Sequence, residues 1–290
     1  MTMLGSKGNK KGFAFQRQLS ENLSAIENYF SEEVDETVYC DSIEDKSRDK
    51  VDNYVKRISS GKKRFISAKC PGNEGPFQMS SFTIDRQLKF LEYKTGPIPP
   101  GIREYCYAYF GHVDFDTWMK ANAACGVDVS HLCPKNELRR QRTLAKNISA
   151  DVKDRVVQYL ARPDVKQAFV QMHLVAGFTD KAAHFQIYHP AKTQEDIDFD
   201  SKEFYAINLE MLNEECLKWD WKIGNSTMDF GPLNWKVRGG GGDGCTPTKG
   251  SYHNAQCFSG ISKMRKHVGK TGAFFKGSLK DVLKYMMKED

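Results

Sequence analysis

The sequence has no long apolar run, and none of its stretches approaches the roughly 20 consecutive apolar residues that a membrane-spanning helix needs. Its first residues are basic and glycine-rich, MTMLGSKGNKKG, without the apolar stretch that a secretory signal requires. The 8 cysteines are scattered along the chain without the regular spacing of a disulfide framework. These absences favour a cytoplasmic protein with reduced thiols and no membrane association.

Three motifs with a known chemistry are incomplete. The glycine-rich stretch 239–244 lacks the Gly-Lys-Ser/Thr ending of a Walker phosphate loop. Cys125, His131 and Cys133 lack a fourth ligand at a spacing typical of zinc sites. His253 lacks the paired histidine and the acidic residue that a histidine-metal nuclease needs. We therefore favour buried thiols and a surface histidine over part of a zinc site, and we assign no catalytic centre to the other two stretches.

The overall composition is that of a soluble globular protein, with 40% hydrophobic and 28% charged residues. A chain of 290 residues can bury one large core, and neither a linker nor an internal repeat is evident. We therefore predict a single domain over residues 1–290 with a basic N-terminal arm at 1–11. The formal charge of +6 is compatible with a polyanionic partner.

Two short runs with β-type alternation form the most informative part of the chain. Asp52 lies in the first run, Val51–Val55, and a polar turn rich in serine and glycine leads to the second run, Phe65–Lys69. Alternation places Ser67 and Lys69 on one face, so that pairing of the strands brings Lys69 near Asp52. A carboxylate beside an ammonium suits metal-dependent phosphodiester hydrolysis. The alternative is an ordinary surface hairpin with a solvated lysine.

The order of Asp52 followed by Ser67-Ala68-Lys69 resembles the PD-(D/E)XK nuclease core, and in particular the type II restriction endonucleases. The resemblance implies an α/β fold with a mixed central β-sheet flanked by helices. It also implies that Mg²⁺ is bound by Asp52 and the main-chain carbonyl of Ala68, while Lys69 positions the attacking water. Ser67 stands where the family usually has a second carboxylate, which is a departure from the pattern.

A helix is predicted before the hairpin, because apolar residues recur at roughly helical spacing from Phe13 to Phe30. In the resembled nucleases a helix at this place often contributes a further carboxylate. Gln16 stands where that residue is expected, and Glu21 is the nearest acid. Glu21 is therefore the candidate for a further metal ligand, and the alternative is a solvated surface charge.

Two groups of polar residues are candidates for contacts with DNA phosphates, which position a protein without specifying sequence. The first group follows the hairpin in a predicted strand, and its alternative is the polar edge of that strand: Gln78, Ser80, Ser81 and Thr83. The second group can grip phosphates or form a solvated face: Arg139, Arg140 and Arg142. It precedes a helix predicted over Ser149–Leu160 with Ser149 as its cap.

A candidate for base reading lies within residues 230–260. Apolar residues there alternate with Lys236 and Arg238, which predicts a half-buried strand with both cations on one face. Four glycines and Asp243 follow, and glycine lets a backbone approach a partner closely. Arginine and lysine can bind guanine edges, and an aspartate can accept from cytosine N4. This order also resembles type II restriction enzymes, whereas the alternative is a flexible linker.

Taken with the resemblance, these features imply a Mg²⁺-dependent type II restriction endonuclease that cuts double-stranded DNA at a short specific sequence. The resemblance further implies a homodimer, because two-fold symmetry in the protein matches a palindromic site. A repair or junction-resolving nuclease is one alternative. A non-catalytic DNA-binding protein, in which Lys69 only contacts a phosphate, is another.

Overall fold

The computed structural model describes residues 12, 14–24, 38–42, 50–57, 63–111, 113–132, 142–179, 181–192, 195–237 and 254–288. The chain divides into two compact units within the span that we predicted as one domain. The first unit comprises Met1–Pro76, Leu174–Glu215 and Gly260–Asp290. The second unit comprises Phe77–His173 and Cys216–Ser259.

The helices, numbered in chain order, are α1 (14–24), α2 (Ile84–Thr95), α3 (Ile102–Phe110), α4 (Phe115–Ala124), α5 (Ala150–Leu160), α6 (Pro163–Val170), α7 (Leu209–Glu215), α8 (Ile261–Val268) and α9 (Leu279–Met287). The strands are β1 (Val38–Ser42), β2 (Asn53–Arg57), β3 (Lys63–Lys69), β4 (Phe77–Thr83), β5 (Phe185–Tyr188), β6 (Phe204–Asn208), β7 (Trp221–Ile223), β8 (Thr227–Phe230), β9 (Leu233–Val237), β10 (Asn254–Ser259) and β11 (Phe274–Gly277). A π-helical turn spans Gln171–Val175, and 3₁₀ turns span Ala145–Asn147 and Cys216–Lys218.

The first unit contains a mixed sheet with the strand order β1-β2-β3-β5-β6-β11. The predicted hairpin is present, since β2 and β3 pair antiparallel with Asn53 opposite Ile66. β3 and β5 are parallel, and the remaining neighbours are antiparallel. The predicted fold class, a mixed α/β protein, is confirmed by this arrangement.

One face of the mixed sheet is covered by α1 and α9. Helix α1 buries Phe15, Leu19 and Leu23, which recur every four residues and therefore share one side of the helix. These side chains join Ile66, Ile187 and other apolar residues of the strands in one core. Helix α9 completes the core with its own apolar stripe, Leu279, Val282, Leu283 and Met286.

Ser278 and Ser149 both occupy the capping position of a helix, but they differ in whether the side chain makes a capping hydrogen bond. Ser278 caps α9, because its Oγ accepts from the backbone N–H of Asp281 at 3.2 Å. Ser149 precedes α5 at the capping position, but its side chain makes no capping hydrogen bond, so that part of the prediction is wrong. Helix α5 begins one residue after the start of the range predicted for it, Ser149–Leu160.

The second unit contains an antiparallel sheet with the strand order β4-β10-β9-β8-β7. One face of this sheet is an aromatic core in which Trp235 of β9 lies 5.2 Å, centre to centre, from Phe169 of α6. The predicted half-buried strand is confirmed as β9, in which Leu233, Trp235 and Val237 are buried and the residues between them are partly exposed. Within the described ranges, no helix is long and apolar enough to cross a membrane.

We expect Leu19→Ala to lower the free energy of unfolding by about 2–5 kcal/mol, because it removes a fully buried side chain from the contact between α1 and the sheet. Arg17→Ala on the exposed side of the same helix is the matched control. Urea denaturation of both variants measures the difference. Equal stability of the two variants would contradict this account of the packing.

Candidate functional site

Asp52 lies immediately before β2, where the pairing of β2 with β3 ends. Its backbone N–H donates to the carbonyl oxygen of Ile66 at 2.7 Å. The hydroxyl of Ser67 donates to the carboxylate of Asp52, and strand alternation places Lys69 on the same face of β3 as Ser67. The Nζ of Lys69 accordingly lies 3.6 Å from the Oδ2 of Asp52.

The carboxylate of Asp52 is held by donors from two directions. Its Oδ2 accepts from the backbone N–H of Ala68 at 2.7 Å and from the Oγ of Ser67 at 3.3 Å. Its Oδ1 accepts from the Nε2 of Gln16 at 2.6 Å. The side chains of Asp52 and Lys69 remain 16% and 25% exposed, whereas Ser67 is fully buried. The pair is therefore rigidly placed and still within reach of a ligand.

Gln16 occupies the place at which the resemblance leads one to expect a further carboxylate. The backbone carbonyl of Gln16 accepts from the Nδ2 of Asn53 at 3.0 Å, which ties α1 to the start of β2. Glu21 lies five residues further along α1, about 140° around the helix axis, and is exposed. The nomination of Glu21 is therefore corrected, because it does not share the face that reaches Asp52.

Main-chain carbonyl oxygens of β3 point to the side of the strand that faces β2. The Ile66 carbonyl points towards β2, since it accepts from Asp52, and the Ala68 carbonyl two residues on points to the same side. Among the described residues, no group of three or more His, Cys, Asp or Glu side chains could hold a metal. One carboxylate with neighbouring oxygens suits Mg²⁺, which keeps several waters and commonly takes one or two carboxylates.

A second polar cluster lies on the same face of the mixed sheet. Lys69, Tyr188 and Tyr205 stand side by side on β3, β5 and β6. The Tyr205 hydroxyl donates to the Oε1 of Glu74, and the other oxygen of Glu74 accepts from Arg265 at 2.8 Å. Sequence reasoning missed this cluster, because the order of the strands was needed to bring Tyr205 and Glu74 together.

The cluster shifts the ionisation of both central groups. The hydrogen bond from Tyr205 lowers the pKa of Glu74, and the nearby charge of Arg265 acts in the same direction. Burial raises the pKa of Tyr205 to about 12, with a further contribution from its hydrogen bond to Glu74. At neutral pH the carboxylate is therefore charged and the phenol neutral, which is the pairing that their hydrogen bond requires.

The second unit brings three of the candidate DNA contacts to one sheet face. Gln256 of β10 stands opposite Ser81 on one side and Lys236 on the other. Its Nε2 donates to the Oε1 of Gln78 at 2.8 Å and lies 3.2 Å from the Oγ of Ser81. The Nζ of Lys236 lies 4.3 Å from the centre of the Phe258 ring. Gln256 and Phe258 belong to this polar face and were missed from the sequence.

Ser80 is the exception among the polar residues of β4. It is buried, and its Oγ lies 2.5 Å from the Nδ1 of the buried His173. The prediction that Ser80 contacts a phosphate is therefore corrected, because its hydroxyl already has an internal partner. Arg142 is exposed. The remaining nominated residues lie outside the described part of the chain: Arg139, Arg140, Arg238 and Asp243.

No protein-family model matches the chain, and no curated protein matches it. Among solved structures, the chain is similar to restriction endonuclease MspI in complex with its cognate DNA. That similarity has a TM-score of 0.44 and 11% sequence identity, and it covers 86% of this chain and 82% of the other.

We expect the contribution of Glu74 to stability to disappear in acid. A carboxylate whose pKa is lowered by folding stabilises the folded state above its unfolded pKa of about 4.3, and the effect is lost as pH falls through the folded value. Glu74→Gln should therefore be less stable than the wild type at pH 7, and the difference should shrink towards about pH 3. Chemical denaturation at both pH values measures it.

Tyr205→Phe provides the companion variant, since it removes the largest cause of the lowered pKa of Glu74 while keeping the ring. In the Tyr205→Phe background, the loss of stability caused by Glu74→Gln should depend less on pH. A loss that is the same at pH 7 and pH 3 in the wild-type background would contradict the assignment.

Proposed function

We propose that this protein is a Mg²⁺-dependent endonuclease of the type II restriction kind, which hydrolyses phosphodiester bonds in double-stranded DNA. The observation that carries the proposal is the contact of 3.6 Å between the ammonium of Lys69 and the carboxylate of Asp52. Both groups lie on a paired hairpin, in the order that the PD-(D/E)XK resemblance requires.

Three oxygens of this chain would hold the metal. They are the Asp52 carboxylate, the Ala68 carbonyl and the side-chain oxygen of Gln16, which a half-turn of its amide would direct to where the Nε2 now meets Asp52. When bound, Mg²⁺ supplies Lewis-acid stabilisation of the negative charge that develops on the phosphate oxygens. The amide would thus take the place of the carboxylate that other nucleases contribute from this helix.

Lys69 acts on the attacking water. As the water oxygen forms its bond to phosphorus it loses a proton, and the phosphorus–oxygen bond to the leaving sugar breaks on the opposite side. The ammonium orients the water or, in its neutral form, accepts that proton. Ser67 is a positioning residue, because its buried hydroxyl donates to Asp52 and fixes the carboxylate beside Lys69.

Sequence reading is assigned to the polar face of the second sheet and the residues that follow β9. Lys236 lies on that face at the end of β9, and Arg238 and Asp243 follow it in the sequence. Gln78 and Ser81 lie on the same face, joined through Gln256. Cationic and amide side chains of this kind recognise guanine and adenine edges in the major groove. A homodimer would present two such faces to a palindrome.

We expect Asp52→Asn and Lys69→Met each to reduce cleavage of plasmid DNA by at least about 10²-fold, since each removes a group that acts on the reaction. DNA binding, measured with Ca²⁺ in place of Mg²⁺, should stay within about tenfold of the wild type. Glu21→Gln, an exposed change on α1, should leave cleavage unchanged and is the matched control.

The products distinguish the candidate functions. Discrete fragments that disappear with EDTA support a restriction enzyme, whereas nicking or smearing favours a repair nuclease. Binding without cleavage by the wild type would favour the non-catalytic alternative. Wild-type cleavage rates in either active-site variant would refute the assignment of Asp52 and Lys69.

The role of Gln16 gives a separate prediction about the metal. Gln16→Glu replaces the Nε2 atom, which lies 2.6 Å from the Oδ1 of Asp52, with a carboxylate oxygen. Because the two carboxylates repel each other, we expect a lower melting temperature in EDTA. Mg²⁺ should raise the melting temperature of this variant more than that of the wild type, because it neutralises the pair. Gln16→Leu should instead need more Mg²⁺ than the wild type for half-maximal cleavage. Gln16 is excluded as a ligand if neither variant differs from the wild type in the rise of melting temperature with Mg²⁺ or in the Mg²⁺ concentration needed for half-maximal cleavage.

A further inference from the structure

The charge of the chain is concentrated in one segment. Residues 254–280 contain six of the 43 lysines and arginines and none of the 37 acidic residues. Outside this segment the cationic and acidic side chains are therefore equal in number, although the whole chain carries a formal charge of +6. The cations of the segment are Lys263, Arg265, Lys266, Lys270, Lys276 and Lys280.

Helix α8 displays a large part of this charge on its outer side. Ile261, Met264 and Val268 are buried and define the inner side of the helix. Lys266 is exposed on the outer side, and Lys270 is exposed in the turn that follows. No acidic side chain of the described residues forms an ion pair with either of them. The cations Arg265 and Lys276 differ, because they pair with Glu74 and Glu203.

The local electric field is consistent with this distribution. The pKa of His267 is lowered by burial and by the charges of Lys266 and Lys263 beside it. Cations in the last turn of a helix also complement the helix dipole, and Lys266 contributes in that way. Lys270 lies beyond the end of α8, however, so that the dipole does not account for the whole group.

Contacts within the first unit attach α8 to the loop that leaves the candidate catalytic strand. The backbone N–H of Ser262 donates to the carbonyl of Glu74 at 3.2 Å, and Arg265 pairs with the side chain of Glu74. Glu74 follows Lys69 by five residues. The guanidinium of Arg265 also lies 5.6 Å from the centre of the Tyr205 ring.

Tyr205 fixes the side of the sheet on which α8 lies. It stands in register with Tyr188 and Lys69 two strands away, a distance of about 10 Å at the usual strand spacing. Helix α8 therefore lies on the same face of the mixed sheet as the ammonium of Lys69. Helices α1 and α9 cover the opposite face.

We propose that α8 and the turn after it bind the sugar–phosphate backbone of duplex DNA beside the phosphate that is cut, with Lys266 and Lys270 as the principal contacts. The proposal rests on the proposed function for its partner, because the site of Lys69 and Asp52 defines where the duplex lies. From Lys263 to Lys270 the helix and turn extend about 10 Å, which corresponds to about three base-pair steps along the duplex axis. These lysines add to affinity and not to sequence discrimination.

The test is the salt dependence of DNA binding by the full-length protein, with Ca²⁺ replacing Mg²⁺. The probe is a DNA duplex of random sequence. Each phosphate contact contributes about 0.9 to the slope of log K against log salt concentration. Lys266→Gln/Lys270→Gln should therefore flatten the slope by about two relative to the wild type.

The matched control is Lys202→Gln/Lys288→Gln, which removes the same formal charge from two exposed positions outside α8, one before β6 and one after α9. Its slope should equal that of the wild type. Equal flattening in the two double variants would mean that only net charge matters, and this would overturn the proposal. An unchanged slope in Lys266→Gln/Lys270→Gln would overturn it as well. Thermal denaturation checks that both variants are folded.

The result separates this proposal from the proposed function. If the wild type cuts DNA and the slope of the α8 variant is unchanged, the role of α8 is refuted while the nuclease stands. If the wild type binds with a steep slope that the α8 variant flattens, but never cuts with Mg²⁺, α8 is supported and the nuclease is refuted. Absence of any DNA binding would refute both.

Discussion

The candidate site depends on the pairing of β2 with β3. The backbone of Asp52 donates to Ile66 and the backbone of Ala68 donates to the Asp52 carboxylate, so that one ladder sets both the position and the orientation of the acid. Lys69 lies on the same face of β3 as Ser67, because side chains alternate along a strand. No further interaction is needed to place it there. A shift of one residue in this register would send Lys69 to the apolar face that α1 and α9 cover. The register is therefore a constraint on folding and, under the proposed function, on activity as well.

Packing and chemistry are coupled through α1. Leu19 and its neighbours bury one side of this helix against the sheet, and the same contact delivers Gln16 to the carboxylate of Asp52. The amide is neutral, so it can approach the acid closely when no cation is present, whereas a glutamate at this place would face like-charge repulsion. Gln16 therefore keeps the site compact when no cation is present, and under the proposed function Mg²⁺ would have one anionic ligand fewer.

The sequence predicts the hairpin and the pair of Asp52 and Lys69 because both follow from a local rule, the alternation of side chains along strands. It does not predict the partner of Ser80, since His173 comes from a distant helix and only the tertiary fold brings the two together. Glu21 was nominated because it is acidic, but it does not lie on the side of α1 that faces Asp52. Gln16 lies on that side and contacts Asp52. Tyr205 and Glu74 could not have been paired from the sequence, because β5 and β6 enter the sheet far along the chain from β3.

The order of strands also explains why one face of the mixed sheet is apolar and the other carries charge. Phe204 and Ala206 of β6 join the core with α1 and α9, so Tyr205 between them must point to the other face. There it meets Glu74 and Arg265, and these two residues in turn fix α8 to the loop after Lys69. The acid at Glu74 neutralises only one cation of α8 and leaves Lys266 and Lys270 exposed. A helix that is anchored by the salt bridge of Arg265 and bears further cations outward is suited to hold a polyanion beside Asp52 and Lys69, as the proposed function requires.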